Sequence, residues 1–322
     1  MSSPAASLAP VRWWDRFLFA PESPAPMALV RVGWGAMTAL WGLSLLPDVD
    51  PFLTTGALRY ERRMADGHWN PLDWVDWSWA PLAACALLVV ASLATVVGWR
   101  TRASALVAVL CLLALQRTNT TIFNSGDLTL RLIGWSVVLA PSGLLWSVDA
   151  ARRRRRGEPP PPDRAPWALR LLQLQLAVGY FLSGLAKLRG DTWHDGTAVA
   201  RALRIEDLQR FVLPEPVLEQ SVLLNLLTWG TLAFELGFVF LVWDRRLRPW
   251  VIGTGVLFHL GIDLTLDIGW FSLVMWLGYV AFVPPEVAAR IVERFDPWSR
   301  RERSGAAEGE GALVPGAVEP AQ

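Results

Sequence analysis

An uncharged apolar stretch limits what this chain can become more than any other feature. Residues 81–98, PLAACALLVVASLATVVG, contain no charged side chain. About 20 apolar residues suffice for an α-helix to cross the hydrocarbon core of a bilayer, where only helices and closed barrels satisfy their own backbone hydrogen bonds. The stretch therefore predicts a transmembrane helix. The 19 tryptophans agree with this prediction, because tryptophan is enriched at membrane interfaces.

The apolar runs predict an all-α, polytopic membrane bundle of about eight transmembrane helices. The predicted spans are 27–46, 81–98, 104–122, 128–148, 167–188, 221–243, 249–266 and 269–283. Basic residues gather before the first span and after the second, fourth, sixth and eighth. Because basic residues in short loops favour the cytoplasmic side, the pattern predicts that both termini are cytoplasmic, with the protein in the plasma membrane.

The segments outside the spans complete the predicted organisation. We expect a disordered N terminus at 1–10, a transmembrane domain over 11–286, a basic cytoplasmic segment at 287–303 and a disordered tail at 304–322. Residues 11–19 are typical of an interfacial segment. In the loop 189–220, apolar residues recur at three- and four-residue steps and predict an amphipathic surface helix: Val199, Ala202, Ile205, Leu208 and Val212.

Charge and cysteine usage narrow the function classes. The net charge of +1 gives no reason to expect a nucleic acid partner. The run Arg152 to Arg156 could be a nucleic-acid patch, but its place between two spans and beside the prolines 159–162 favours a cytoplasmic orientation signal. Cys85 and Cys111 lie inside apolar runs, so we interpret them as buried apolar residues and expect no metal site.

Most ionisable residues within the spans fall in the half that the topology places outside. The candidates for a pocket are Arg117, Asn124, Asp127, Arg131, Tyr180, Lys187, Glu235, His259 and Asp263. Charged groups inside a bilayer are costly, so the asymmetry indicates a polar cavity that opens to the extracytoplasmic side. The alternative is a set of structural ion pairs, of Arg117 or Arg131 with Asp127, while Lys187 extends to the interface.

Lys187 is the only lysine among 30 basic Lys and Arg residues. A desolvated amine can release its proton, whereas a guanidinium keeps it. A neutral amine could act as a general base. Tyr180, Ser183, Gly184 and Lys187 share one helix face, and Gly184 would allow another helix to approach closely. On the seventh span, His259, Asp263 and Asp267 are four residues apart and are predicted to share a face.

These residues lie in segments that resemble a known family. The segments YFLSGLAKLRGDTWHDGTAV, FELGFVFLVW and VLFHLGIDLTLDIGWFSLVMWLGYVAFVPPE, with the early FLFAPESPAPMALVRVGWGAMTALW, are similar to the horizontally transferred transmembrane (HTTM) domain. That family includes the membrane part of vitamin K-dependent gamma-carboxylase. The resemblance covers residues 15 to 286, and its most specific parts are the lysine segment and the Phe-His segment.

The resemblance implies a chemistry and a set of roles. In the carboxylase, a lysine acts as a base on the vitamin hydroquinone, oxygen adds, and an epoxide forms together with a base strong enough to take a proton from a glutamate side chain. Lys187 matches that lysine and His259 the histidine of the Phe-His segment, whereas Glu235 falls where the family has an acidic residue. Reduced vitamin K or menaquinol is the substrate so implied.

The chain departs from the family enzyme at several places. Ser125 follows Asn124 where the enzyme has a histidine, Ile262 stands where it has an asparagine, and its large extracytoplasmic domain has no counterpart here. We therefore expect oxidation of a quinol, with Lys187 as base and His259 and Asn124 in support, more than carboxylation of glutamate. The alternative is a non-catalytic membrane protein for transport, binding or assembly, with a polar outer cavity and a protein partner of unknown kind.

Overall fold

The computed structural model describes residues 9–54, 70–75, 77–119 and 122–296 and confirms the all-α prediction. These residues form α-helices and short 3₁₀ turns, with no β-strand among them. The helices are α1 Ala9–Phe19, α2 Ala25–Leu45, α3 Val49–Leu53, α4 Ala80–Val97, α5 Thr101–Thr118, α6 Ser125–Leu139, α7 Val148–Arg155, α8 Trp167–Lys187, α9 Asp191–His194, α10 Ala198–Ala202, α11 Glu215–Leu218, α12 Ser221–Leu241, α13 Arg248–Thr265, α14 Phe271–Tyr279 and α15 Pro285–Phe295. The expected disordered tail at 304–322, and the expected disordered N terminus up to residue 8, lie outside the described residues.

Five helical segments are long and apolar enough to cross a membrane. They are Ala25–Leu53, α4, α5, α8 and α12. A sixth span arises only if Phe271–Phe282 and α15, which meet at a bend of 107°, count as one. The protein is therefore a multi-pass helical membrane protein, whereas the number eight stays a prediction. Two of the predicted spans are short helices here, since α6 has 15 residues and α14 has nine.

The predicted span 128–148 is wrong in its second half. Helix α6 ends at Leu139, and Ala140 is extended, with ψ 156°. The cause is local, because Pro141 disfavours helical dihedrals in the residue before it and cannot donate a helical hydrogen bond. The chain then turns through 140–147 and begins α7, in which Ser147 caps the backbone of Ala150. The basic run belongs to this short helix.

The predicted amphipathic helix in the loop 189–220 is also wrong. Helix α10 stops at Ala202, and Ile205 is extended. Backbone groups further along pair with the end of α13 instead, because Arg210 donates to the carbonyl of Thr265 and Asp267 donates to that of Leu208. These hydrogen bonds replace those that a continued helix would have made, and Val212 stays 89% exposed.

The turns that carry the basic residues meet at one end of the bundle. The Asp149 carboxylate at the start of α7 accepts from the backbone of Arg100 and Thr101, which joins α7 to the turn between α4 and α5. Arg31, fully buried near the start of α2, donates to the carbonyls of Thr95 and Trp146. A cation beside the last carbonyls of α4 compensates the negative end of that helix. Helix α7 and the turn between α4 and α5 carry two of the five basic groups that were predicted to lie on one side of the membrane.

The centre of the bundle has little spare room between α2 and α6. The indole of Trp34, 0% exposed, donates to the carbonyl of Leu130 at 2.8 Å. A Cβ atom on Gly134 would lie 2.5 Å from the Trp34 ring and 2.6 Å from Val109. Gly134 is therefore required for the close approach of α2, α5 and α6.

We expect Gly134→Ala to destabilise the protein by about 1–3 kcal/mol, the usual range for overpacking a filled core. The matched control is Gly179→Ala in the middle of α8, where an added Cβ meets nothing within 4 Å. Alanine there should be neutral or stabilising because it is the better helix former. Thermal unfolding in detergent measures both, and equal shifts for the two variants would contradict the packing described.

Candidate functional site

Lys187 and Glu235 form an ion pair between α8 and α12. The Lys187 Nζ atom lies 2.9 Å from both carboxylate oxygens of Glu235 and donates to the Ser183 hydroxyl at 2.7 Å. The Glu235 side chain is 7% exposed and the Lys187 side chain 25% exposed. The Nζ atom also lies 5.4 Å from the centre of the Trp193 ring. The lone lysine therefore ends in a half-buried polar cluster rather than extending alone to the membrane interface.

A glycine brings the two helices of this pair together. A Cβ on Gly184 would lie 2.8 Å from Leu236 and 3.3 Å from the Glu235 Cβ. The close helix approach predicted at Gly184 is thus found, and α12 is the partner. This close approach allows the Lys187 side chain to reach both carboxylate oxygens of Glu235.

Two turns deeper on the same face of α8, Tyr180 joins a second polar cluster. Its hydroxyl lies 2.7 Å from Nε2 of His259 on α13 and is hydrogen-bonded to the hydroxyl of Tyr279 on α14. His259 is 1% exposed, and its Nδ1 atom has no partner among the described residues. Aromatic rings enclose the cluster, at centroid distances of 4.5–5.4 Å: Phe234, Phe238, Phe258 and Phe271.

The two residues predicted to be catalytic do not contact each other. Lys187 lies seven residues after Tyr180, which is about 10 Å along the helix axis. His259 bonds to Tyr180, and Lys187 bonds to Glu235. The structure therefore divides the predicted pocket into an outer Lys187–Glu235 pair and an inner tyrosine–histidine cluster on one helix face.

Three other pocket candidates stabilise the start of α6. The Asn124 side chain caps the helix by accepting from the backbone of Gly126 and donates to the carbonyl of Ile268. Asp127 accepts from the Asn124 backbone at 2.7 Å and from the Trp41 indole at 2.6 Å. Arg131 donates to the Gln116 side chain at 3.1 Å, so the predicted alternative of an Arg131–Asp127 ion pair is wrong. Arg117 adjoins Gln116 in the last turn of α5.

The predicted common face holds for His259 and Asp263, which both lie in α13, but is wrong for Asp267. Helix α13 ends at Thr265 and Leu266 is extended, so Asp267 has left the helix. Asp263 and Asp267 both approach Arg210 in the preceding loop, at 3.5 and 3.4 Å. Both carboxylates therefore help to attach that loop to the end of α13.

A cavity of about 850 Å³ lies at the end of the bundle where the basic turns meet. The predicted polar cavity was expected at the opposite end, where Lys187 lies. The walls of the observed cavity come from the linker before α2, the starts of α8, α13 and α15, and the 3₁₀ turn after α14. Tyr279 lies on its inner wall. The hydrogen bonds from Tyr279 to Tyr180 and on to His259 thus connect this cavity with the middle of the bundle.

Sequence reasoning missed Tyr279 and Trp193 and did not pair Glu235 with Lys187. Tyr279 lies in the apolar segment MWLGYVAF and showed no periodic signal. Its close contact with α13, where a Cβ on Gly255 would lie 2.3 Å from the Tyr279 hydroxyl, is visible only in the tertiary structure. No group of three His, Cys, Asp or Glu residues able to hold a metal occurs within the described part of the chain.

Comparison with known proteins gives one match. A family model described as the HTTM domain matches residues 19–286. No curated protein and no solved structure matches the chain significantly.

The Lys187–Glu235 pair should show a larger coupling energy than an exposed pair. We expect a double-mutant cycle with Lys187→Met and Glu235→Gln to give about 1–3 kcal/mol, because contacting partners in a half-buried site interact in this range. The control cycle uses Arg210→Met and Asp267→Asn, whose carboxylate is 64% exposed, and should give less than about 1 kcal/mol. Unfolding free energies measured in detergent give both coupling energies. Equal coupling energies in the two cycles would contradict the expectation that burial strengthens the Lys187–Glu235 pair.

Proposed function

Because the chain belongs to the HTTM family, we propose that it is a membrane oxidoreductase that oxidises a quinol at the Lys187–Glu235 pair, with dioxygen as co-reactant. The family resemblance suggests the reaction class, and the ion pair is the observation that supports it in this chain. The net reaction of such an enzyme is quinol plus dioxygen giving quinone epoxide plus water. We treat the quinol as a substrate, with menaquinol as the first compound to test.

The pair can act as a base without a free amine in the resting state. Lys187 and Glu235 together share one proton, either as ammonium and carboxylate or as amine and carboxylic acid. Moving that proton to Glu235 leaves a neutral amine, which can accept a proton from a quinol hydroxyl. The quinol proton then remains on the pair as ammonium plus carboxylic acid. This replaces the expected solitary neutral amine with a two-residue acceptor.

The surroundings of Lys187 suit an aromatic alcohol. The 25% exposure of the side chain leaves Nζ accessible beside its partner, and the Trp193 ring 5.4 Å away offers a surface for a quinol ring. The Ser183 hydroxyl adds a second hydrogen-bonding group at 2.7 Å from Nζ. His259, which bonds to Tyr180, keeps Nδ1 available for another polar group and has a positioning role in this proposal.

The decisive variant is Lys187→Arg, which preserves the charge and can still pair with Glu235 but does not release its proton. We expect menaquinol oxidation by the purified protein to fall by about 10²–10⁴-fold, the usual contribution of a general base. Menaquinol oxidation by Glu235→Gln should fall by a similar factor because the second proton acceptor is lost. The matched control is Arg189→Lys, an exposed position two residues away, which should keep full activity.

The same experiment separates the enzyme from a non-catalytic alternative. If Lys187 serves only to hold α8 against α12, Lys187→Arg should keep both the melting temperature and whatever transport or binding the protein performs. Full quinol oxidation by folded Lys187→Arg would exclude Lys187 as the base. Absence of any menaquinol binding and oxidation by the wild-type protein would exclude the enzyme.

We further propose the eight-crossing topology, with both termini in the cytoplasm and the protein in the plasma membrane. Support comes from the meeting of the basic turns at one end, with Lys187 and the loop after it at the other. Reporter fusions after Arg154 and after Gly196 should then give cytoplasmic and extracytoplasmic signals respectively. Signals from the same side would contradict an odd number of crossings between them.

A further inference from the structure

The cavity at the basic end of the bundle has the lining of an amphiphile site. Its inner wall is apolar and is formed mainly by Ile252, Tyr279 and Phe282. Its mouth carries charged side chains from four separate segments: Glu22, Asp163, Arg170, Arg245, Arg248 and Glu286. At about 850 Å³ it lies within the size range of small-molecule sites, roughly 300–1,000 Å³.

The charges at the mouth divide into a closed pair and two open sets. Arg170 is bonded to the Glu22 carboxylate and is neutralised by it. Arg245 and Arg248 form no ion pair within the described part of the chain, although Arg248 donates to the carbonyls of Val242 and Trp243. The positive charges of Arg245 and Arg248 are therefore available to a ligand.

The other open set is acidic. Asp163 and Glu286 are exposed at the rim and likewise form no ion pair with any residue that the structure describes. Two cationic and two anionic side chains on one cavity match a ligand that itself carries both charges. An ordinary anion would meet the two carboxylates as well as the two arginines.

The depth of the cavity points to the bilayer as the source of that ligand. Arg248 is the first residue of α13, and Arg170 lies in the first turn of α8, so the charged mouth lies where the apolar helices begin. Beside it, α1 packs Phe17 against Trp243 and leaves Trp13 and Trp14 about half exposed. Exposed tryptophans of this kind are typical of the headgroup level of a membrane.

We propose that this cavity binds a phospholipid whose headgroup carries both a phosphate and an ammonium group. The phosphate lies against Arg245 and Arg248, the ammonium group lies against Asp163 and Glu286, and an acyl chain follows Ile252 and Phe282 towards Tyr279. The site is about 25 Å along α8 from Lys187, at 1.5 Å per residue from Arg170. It is independent of the quinol reaction and would persist if that proposal failed.

Native mass spectrometry of the full-length protein in detergent tests the site with two lipids of matched chains, phosphatidylethanolamine and phosphatidylglycerol. We expect phosphatidylethanolamine to bind at least fivefold more tightly, because only its headgroup satisfies both charge sets. Arg245→Gln should weaken the binding of phosphatidylethanolamine about tenfold, which is the effect of one lost charge-assisted hydrogen bond. The matched control, Arg246→Gln, changes the neighbouring exposed arginine, which does not line the cavity, and should have no effect.

The acidic half of the site has its own variant. Asp163→Asn combined with Glu286→Gln should weaken phosphatidylethanolamine binding and leave phosphatidylglycerol unchanged or stronger. Equal effects of Arg245→Gln and Arg246→Gln would overturn the cavity as the site, and tighter binding of phosphatidylglycerol would overturn the zwitterionic headgroup. If glycerophosphoethanolamine alone competes at the same concentration as the lipid, the ligand is a soluble phosphate compound and the lipid assignment is wrong. Unchanged melting temperatures of the variants show that each remains folded.

Discussion

Every polar group inside an apolar bundle needs a partner, and this requirement shapes the protein more than any single contact. A charge that is buried without a partner destabilises a protein strongly, and a membrane supplies no water to replace one. Arg31 meets the requirement with the carbonyls of Thr95 near the end of α4 and of Trp146 in the turn before α7, Asp127 with an indole and a backbone amide, and Lys187 with Glu235. The bonds of Arg31 to Thr95, of Trp41 to Asp127 and of Lys187 to Glu235 each join two helices, so the pairing of charges also helps to set which helices are neighbours.

Helix α8 carries the functional features in order along its length. Arg170 lies at the charged mouth of the large cavity, Tyr180 lies in the aromatic middle, and Lys187 lies at the opposite end beside Trp193. Tyr279 belongs both to the cavity wall and to the hydrogen-bonded cluster with Tyr180 and His259. A ligand in the cavity and chemistry at Lys187 would therefore act on two ends of one rigid element, with the hydrogen-bonded cluster of Tyr180, His259 and Tyr279 between them.

The candidate site was predictable as a set of residues but not as a set of partners. Lys187 was noticeable because it is the only lysine, and Gly184 because small residues allow close helix packing. Its partner Glu235 lies 48 positions further along the chain, and nothing local to either residue selects that contact. Asn124 and Asp127 looked like pocket residues because they are polar, whereas their bonds to the backbones of Gly126 and Asn124 give them a capping role. Polarity predicts that a partner exists without saying which one.

The sequence by itself determined the helical membrane architecture, the family and the grouping of basic turns, because long apolar runs and short basic loops have few alternative arrangements in a bilayer. Only the tertiary structure decided where α10 ends and which side chains meet. The loop after α10 pairs its backbone with the end of α13 rather than continuing as a helix, and the large cavity opens among the basic turns rather than beside Lys187. Such outcomes depend on contacts between segments distant in the chain, for which periodicity and composition, being local properties, carry no signal.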